Sequence, residues 1–438
     1  MSSGTTNCVP GDTELLLEDG SMMEIKKLVD TLLPDGIVGG DFYIPESDIK
    51  VISWNEYSTK VGRVTAIQRY PSPKKLVEIE TKSGFKLKFT PNHEILVDKE
   101  SGPMWIMARD IKKGDMLYSP ITYPIKTEDV YCIDLLPEDF TLQLPDDVKE
   151  KLKNIRDLNG VRESVLTGLY NPSISEFKKM CNAIEIDWNT TKEKIRKIGI
   201  PKAGKPVELM DPKVNEDLMY LLGLLISDGH FVKKGYPMIF VNKNKKLAEK
   251  FKTVYKSLFG NREVTMFHNG KQWRIEIRNA VLYNIALKLG VIKEDGTKGD
   301  MKRIFKFSES LIASFLRGYF DGDGYIKLEE GKKRVLIKYA TSNPVGARII
   351  HLLLRRLGIV SRIKQEGDNV FRVYIYDKYN ILKFMDIVGS NHPNKIERFK
   401  LAREQLNSIE NIYKSTSNLA PLHCGKLLKN LQAKYGIP

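Results

Sequence analysis

Residues Asp217–Phe231 read DLMYLLGLLISDGHF, and 95 positions beyond the Asp228-Gly229 pair the chain repeats the design in Ser314–Ile326, SFLRGYFDGDGYI, around Asp323-Gly324. Each stretch is an apolar run of helical length that ends at an Asp-Gly pair, a position where a helix is expected to stop. Gly223 and Ser227 are four apart, as are Gly318 and Gly322. On a helix that spacing aligns a stripe of small side chains, along which a second backbone can approach closely. Leu221, Leu222, Leu224, Leu225, Phe315, Leu316, Tyr319 and Phe320 supply the apolar surface to bury. The expected result is a two-helix seam that brings Asp228 and Asp323 together.

Two carboxylates at adjoining helix C-termini, where the dipole is negative, repel each other strongly at low dielectric. A divalent cation removes the conflict, and an all-oxygen donor set suits Mg²⁺, with Mn²⁺ as the alternative. Around the two pairs a whole unit recurs. After Gly229 the pattern predicts an extended run at Met238–Asn242, a helix at Lys245–Phe259, a strand at Trp273–Arg278 and a helix at Val281–Leu289. After Gly324 it predicts a strand at Arg334–Thr341, a helix at Val345–Leu357, a strand at Phe371–Tyr376 and a helix at Tyr379–Val388. The reading is a pseudo-symmetric α+β domain over 211–400, built of αββαββα repeats at 211–305 and 306–400.

With 438 residues, 42% hydrophobic and 29% charged, the chain is globular and long enough for several domains. Residues 1–130 hold 16 Lys and Arg against 20 Asp and Glu, a net of −4, so the remaining 308 carry +19 of the overall +15. The basic part is expected to meet nucleic acid. In the strands WRIEIR and FRVYIY, Arg274, Arg278, Arg372 and Tyr374 alternate with apolar residues. With Arg334 and Lys338 they form either a DNA-reading face or a solvated one. Cys8, Cys132, Cys181 and Cys424 have no CxxC spacing, which argues against a zinc site or a disulfide framework and for a reducing compartment. The N-terminus lacks a signal-peptide pattern and no apolar run reaches membrane-spanning length, so a monomeric cytoplasmic protein without a membrane partner is expected.

The acidic part predicts a compact all-β domain over 8–130, with short strands at Lys50–Trp54, Gly62–Tyr70, Leu76–Thr81, Phe85–Thr90, Ile95–Val97 and Met116–Tyr118 and one helical segment near Lys26–Leu33. Residues 131–147 read as a linker, and Val148–Ile155 as a helix. Within the 131–210 insert, Val161–Ile184 reads as a helix-turn-helix with Ser173 or Ser175 as cap, or else as a packing subdomain. The segment 401–438 reads as a basic helical tail.

CVPGDTELLLEDG from Cys8, SGFKLKFTPNHEILV from Ser83 and ARDIKKGDML from Ala108 resemble, in order and spacing, the N-terminal part of an intein of the Hint fold. The resemblance implies that Cys8 attacks the preceding peptide carbonyl to form a thioester and that Thr90 and His93 polarise that bond. Residues 1–7 would then be the remnant of an upstream host segment, or extein, ending at Asn7. The His-Asn dipeptide that closes such a domain occurs here only as His268-Asn269, where a β-turn explains it. Asparagine cyclisation is therefore not expected from these residues; a truncated chain, a separate C-terminal piece and lost splicing all remain open.

LLGLLISDG and FLRGYFDGDG resemble the paired motifs of the LAGLIDADG homing endonucleases, a family commonly embedded in inteins. The resemblance implies Mg²⁺-dependent cutting of both strands of a long asymmetric duplex, with Asp228 and Asp323 as metal-holding catalytic residues. The first motif carries Ile226 where the family often has Asp, whereas the second keeps Asp321. The family's basic residue ahead of the second motif maps onto Lys302, with Phe305 replacing its Pro, and the repeat offset points to Lys395 as its counterpart or as a surface lysine. The rival readings are a splicing element with a dead nuclease, or a non-catalytic nucleic-acid-binding maturase or regulator.

Overall fold

The computed structural model describes residues 8–33, 43–44, 48–55, 58–71, 75–153, 164–165, 167, 170–183, 185–200, 203–232, 236–260, 262–329 and 334–408. Two helices, Glu216–Asp228 and Glu309–Asp323, pack along each other as the central seam. The first is apolar on every side and buried without a break from Leu218 to Ser227, as a helix enclosed by other elements must be. Glycine sets how closely the pair meets. A Cβ at Gly223 would lie 2.2 Å from the Phe315 carbonyl oxygen, and one at Gly318 would lie 2.1 Å from that of Tyr220.

Both helices then run directly into strands. Gly229 and Gly324 have φ of −95° and −80°, so neither uses the left-handed cap that an Asp-Gly stop suggests. They are glycine for space: a Cβ would sit 2.0 Å from the Leu225 carbonyl oxygen in one case and 2.0 Å from the Phe320 ring in the other.

Each seam helix is followed by the same sequence of elements. Strands Gly229–Phe231, Pro237–Asn242, Trp273–Arg278 and Thr265–His268 lie side by side in that order as an antiparallel sheet. Gly324–Glu329, Arg334–Thr341, Phe371–Ile375 and Arg362–Gln365 repeat the order. Helices Lys245–Phe259 and Ala280–Lys288 accompany the first sheet, and Pro344–Arg356 and Lys378–Ile387 the second. Asn215, Asn244, Asn279, Ser308, Asn343 and Asp377 each accept a backbone N–H at the start of a helix, which is why these helices begin where they do. The three- and four-residue flanking strands at Gly229, Thr265 and Arg362 are too short for alternation to be read from the sequence, whereas Gly324–Glu329 does alternate and adjoins the seam helix without a break. His268 ends one strand and Asn269 opens the turn to the next, with Gly270 at φ +87°.

The N-terminal part is a set of short antiparallel pairs: Glu14–Leu16 with Met22–Glu24, Lys50–Trp54 with Thr59–Arg63, and Val77–Glu80 with Lys86–Phe89. Glu94–Lys99 pairs with both Gly102–Met107 and Met116–Leu117. One expectation shifts: the strand placed at Gly62–Tyr70 is Thr59–Arg63. The helical segment expected near Lys26–Leu33 is present as Ile25–Leu32, which buries Leu28 and Val29.

The segment 131–147 is no free linker. Tyr131, Cys132, Ile133, Leu135, Leu136, Phe140, Leu142 and Leu144 are all buried in the main core, and Thr141–Gln143 opens a three-stranded sheet with Lys197–Ile200 and Ala203–Glu208. The apolar residues that alternate with its acids decide this. The helix starting at Asp146 is described as far as Lys153. Of the helix-turn-helix reading, helix Ile174–Ala183 is described, with Ser173 as its cap and Glu176 returning a bond to the Ser173 N–H; residues 161–163, 166, 168–169 and 184 lie outside the described residues. Among the insert's lysines, Lys178 pairs with Glu138, Lys192 with Asp134 and Lys194 with Asp147. Helix Pro393–Asn407 runs through the boundary expected at 400/401, and 409–438 lie outside the described residues. Among the described residues Cys8, Cys132 and Cys181 are free thiols, and no helix is long and apolar enough to cross a membrane.

Candidate active sites

The seam places its two terminal carboxylates at one point. A Cβ on Gly322, the residue before Asp323, would lie 3.0 Å from Asp228 Oδ2. Burial, reinforced by the Asp323 charge, pushes Asp228 up to about 6, although Asn242 Nδ2 donates to Asp228 Oδ2 at 2.7 Å and Lys395 and Lys298 pull the other way. Asp323 is also raised by burial, against the opposing charges of Lys298 and Lys395. Lys298 Nζ stands 3.4 Å from Asp323 Oδ2 and 3.3 Å from the Ser227 carbonyl.

Lys395 enters from the other side. Its ammonium donates to the carbonyls of Phe320, Asp321 (2.9 Å) and Gly322 (3.3 Å) at the C-terminal end of the second seam helix, where Phe320 also accepts from the Gly324 N–H. Burial lowers it to about 8, held up by Asp321, Asp228 and Asp323. Asp321 fixes this lysine's helix. Fully buried, it accepts from Tyr220 Oη at 2.8 Å, from the Ser390 hydroxyl and from the backbone N–H groups of Asn391 (3.0 Å) and His392 (3.3 Å), which precede helix Pro393–Asn407. That helix has no capping side chain; the Asp321 carboxylate instead holds the two residues that lead into it. At the matching position Ile226 is buried among apolar neighbours.

Lys302 is elsewhere. It is ion-paired with Glu14 and lies 3.9 Å from Asp300, so the basic residue of the first half is Lys298, four positions earlier. Sequence reasoning also passed over Asn242, the last residue of a correctly placed strand; its spacing from Asp228 carries no signal until the hairpin register is known.

A second constellation sits in the N-terminal part. The Cys8 N–H donates to Thr90 Oγ1 at 3.1 Å, and both Thr90 N–H and Oγ1 donate to the Cys8 carbonyl, at 3.0 and 3.1 Å. The turn after Thr90 is closed by His93 N–H to the Thr90 carbonyl at 3.0 Å, with the His93 ring on Phe89 at 4.9 Å. Burial raises the Cys8 thiol above its ordinary range. Asn7 lies outside the described residues.

A family model described as intein splicing domain matches residues 15–288 of the 438, and one described as LAGLIDADG-like domain matches 310–389. The chain belongs to the intein family. This intein carries a LAGLIDADG-like domain in its second half. It is similar to an A-type ATP synthase component of Methanopyrus kandleri (25% identical, covering 100% of this chain and 44% of the relative). It is likewise similar to a glutamine–fructose-6-phosphate aminotransferase of Methanocaldococcus jannaschii (23%, 93% and 37%). The intein thus spans less than half the length of these relatives. Among solved structures, I-DmoI in complex with DNA and Mn is 19% identical and aligns over 40% of the intein and 98% of its own chain, at a TM-score of 0.32. Full-length DUF199/WhiA from Thermatoga maritima is 16% identical over 50% and 66%, at 0.31.

The two sheets of the intein's second half differ in charge. In the second, register sets Tyr325, Lys338, Tyr374 and Arg362 in one row, with Lys327, Arg334, Lys364 and Arg372 on the same face. Lys338 lies over the Tyr325 ring at 4.9 Å and Arg334 over that of Tyr376 at 5.9 Å. Tyr374, expected as a presented side chain, is buried instead: it stacks on Tyr376 at 5.4 Å, and its hydroxyl is bound to Glu366, which also holds Arg372 at 2.7 Å. In the first sheet Arg274 is tied to Glu276 at 2.6 Å and Arg278 is exposed, alongside Ile239, Val241 and the exposed Phe267.

Proposed function

We propose that this intein joins two activities: metal-dependent cleavage of both strands of a long asymmetric DNA site by its pseudo-symmetric endonuclease half, and self-processing through a thioester at Cys8. The observation that carries the first is the meeting of Asp228 and Asp323, both desolvated and both raised, at the ends of two helices in backbone contact. A fold that gains nothing from two repelling carboxylates has no structural reason to bury them together.

Their donor set fits a hard divalent cation, Mg²⁺ or Mn²⁺. Among the described residues no group of three or more His, Cys, Asp and Glu lies together, which leaves the remaining coordination positions to water and substrate oxygens. When bound, such an ion supplies charge neutralisation at the scissile phosphate and a more acidic attacking water. The chain's own residues do the rest. Asn242 fixes the orientation of Asp228, Asp321 anchors the helix that delivers Lys395, and Lys298 and Lys395 set positive charge where the pentavalent phosphate gains negative charge. Each Asp serves one strand, and the cationic face of the second sheet holds the duplex backbone.

In the thioester step Cys8 Sγ attacks the Asn7 carbonyl carbon. A C–S bond forms, the Asn7–Cys8 C–N bond breaks, and the thiol proton goes to the Cys8 nitrogen, which becomes an α-amine. Thr90 Oγ1, already 3.1 Å from that nitrogen, is the group beside the leaving atom. Because burial raises the Cys8 thiol, thiol-induced release of residues 1–7 is expected to accelerate as pH rises through the alkaline range and to vanish in Cys8→Ala, as mass spectrometry of the released peptide would show.

The nuclease reading is tested on a plasmid carrying the host gene without the intein. Linearisation in Mg²⁺ and none in chelator is expected. Tight binding without a cut at any metal concentration would replace it with the non-catalytic binding reading.

A further inference from the structure

The two halves do not meet as strangers. Glu14, six residues beyond Cys8 and with its side chain only 14% exposed, is ion-paired with both Lys302 and Arg348 of the endonuclease half. Lys302 thus has a use away from the cleavage centre. The hairpin that ends at Thr90 is held the same way, through its tip. Ile363 N–H donates to the Ser83 carbonyl at 2.9 Å, the Phe85 ring lies 4.5 Å from that of His351, and a Cβ on Gly84 would come 2.9 Å from the Ile363 carbonyl. Ser119 and Pro120 accept from Arg355 at 2.9 and 3.0 Å.

The contacts fall on the two segments that the thioester site needs in register. Cys8 and Thr90 are 82 positions apart and touch through three hydrogen bonds, so their alignment depends on what anchors the strand after Cys8 and the hairpin before Thr90. Within the splicing part these segments are tied by backbone bonds, Ile25 and Lys26 N–H to the Thr13 and Gly11 carbonyls at 2.8 and 3.0 Å and Ala108 and Arg109 N–H to the His93 and Pro91 carbonyls at 2.7 and 3.0 Å; the side-chain anchors of Glu14 and of the hairpin tip come from the endonuclease half. The splicing part adds little apolar packing of its own: apart from residues packed on the main core, its buried cluster among the described residues is Val29, Leu33 and Ile67. We propose that the endonuclease half acts as the positioning scaffold of the splicing site, through the Glu14 clamp of Lys302 and Arg348 and the Ser83–Phe85 tip, so that Cys8 chemistry depends on residues more than 200 positions away in sequence.

The proposal rests on the thioester reading of Cys8, and the test separates the two. Thiol-induced release of residues 1–7 is timed on the full chain for wild type, Glu14→Gln and the Lys302→Ala/Arg348→Ala pair. The charge-swapped Glu14→Arg/Lys302→Glu/Arg348→Glu chain is timed beside them. Each variant is also melted. Release about 10- to 100-fold slower in the first two variants, the scale of a small misplacement of reacting groups, with recovery in the swap, is the expected result. Phe85→Ala, which loosens the tip by removing the ring's contacts with His351 and with the Arg355 guanidinium at 5.8 Å and leaves the Glu14 clamp intact, slows release too and serves if a clamp variant fails to fold. Wild-type rates in the clamp variants or in Phe85→Ala overturn the scaffold. No release by the wild type overturns the thioester reading and the scaffold with it.

Discussion

Asp228→Asn removes DNA cleavage and, in the same protein, raises the melting temperature of the metal-free intein. The loss of activity follows from the role of this carboxylate as one of two that hold the cation, and a fall of about 10²- to 10³-fold or more is expected. The gain in stability follows from linkage. Folding raises Asp228 to about 6, above its unfolded value, so the folded state binds the proton more tightly. That contribution is favourable at pH below the unfolded carboxylate range and is lost as pH rises toward 6. At neutral pH the charged Asp228 therefore destabilises the fold, by about 1–3 kcal/mol after allowance for its partial exposure. Asn keeps the shape and the contact to Asn242 without the charge. Melts in chelator at pH 7 and pH 5 should show the wild type gaining more on acidification than the variant, in which Asp323 is the carboxyl still raised by burial, with saturating Mg²⁺ narrowing the gap at pH 7. A variant less stable than wild type at pH 7 would mean that Asp228 is a structural group.

Gly318→Val is expected to unfold the endonuclease half. Its Cβ would meet the Tyr220 carbonyl oxygen at 2.1 Å and the Leu224 nitrogen at 2.9 Å, both backbone atoms of the partner helix that cannot rotate away. Relief requires the seam helices to separate, and the apolar residues between them would lose close packing. A cost above about 4 kcal/mol follows, enough to exceed half of a typical domain's stability. Gly223→Val meets the Phe315 carbonyl at 2.2 Å and should match it. Denaturant melts followed by tryptophan fluorescence would check this. A shift of less than about 1 kcal/mol would show that the seam breathes far more than its contacts imply.

The seam and its carboxylates were legible in the sequence because they rest on short-range rules: small residues four apart, an apolar run, and the same unit written twice. The helix Lys245–Phe259 and the strand Trp273–Arg278 are found where their periodicity puts them. What escaped depends on distant pairing. Lys298 and Lys302 are four apart in one loop, and nothing local says which reaches Asp323 and which reaches Glu14. Asp321 is visible in the sequence only as a retained motif residue; its bonds to the backbone of Asn391 and His392, some 70 residues further on, appear only in the fold. Residues 131–147 read as a linker on the strength of their acids and prolines, although apolar residues are interspersed among them; packing of those residues against the main core reverses that reading. Cys8, Thr90 and His93 were found by resemblance, and the geometry adds the direct Cys8–Thr90 bonds.

The central claim, that the paired carboxylates are a cleavage centre with one Asp for each strand, is tested most directly by a strand-resolved cleavage assay. A duplex spanning the insertion site of the host gene, labelled at a different end on each strand, is incubated with wild type, Asp228→Asn and Asp323→Asn in Mg²⁺ and in chelator. The wild type is expected to cut both strands in Mg²⁺ alone, and neither variant to yield a double-strand break. Undiminished cutting of both strands by either variant would contradict the assignment.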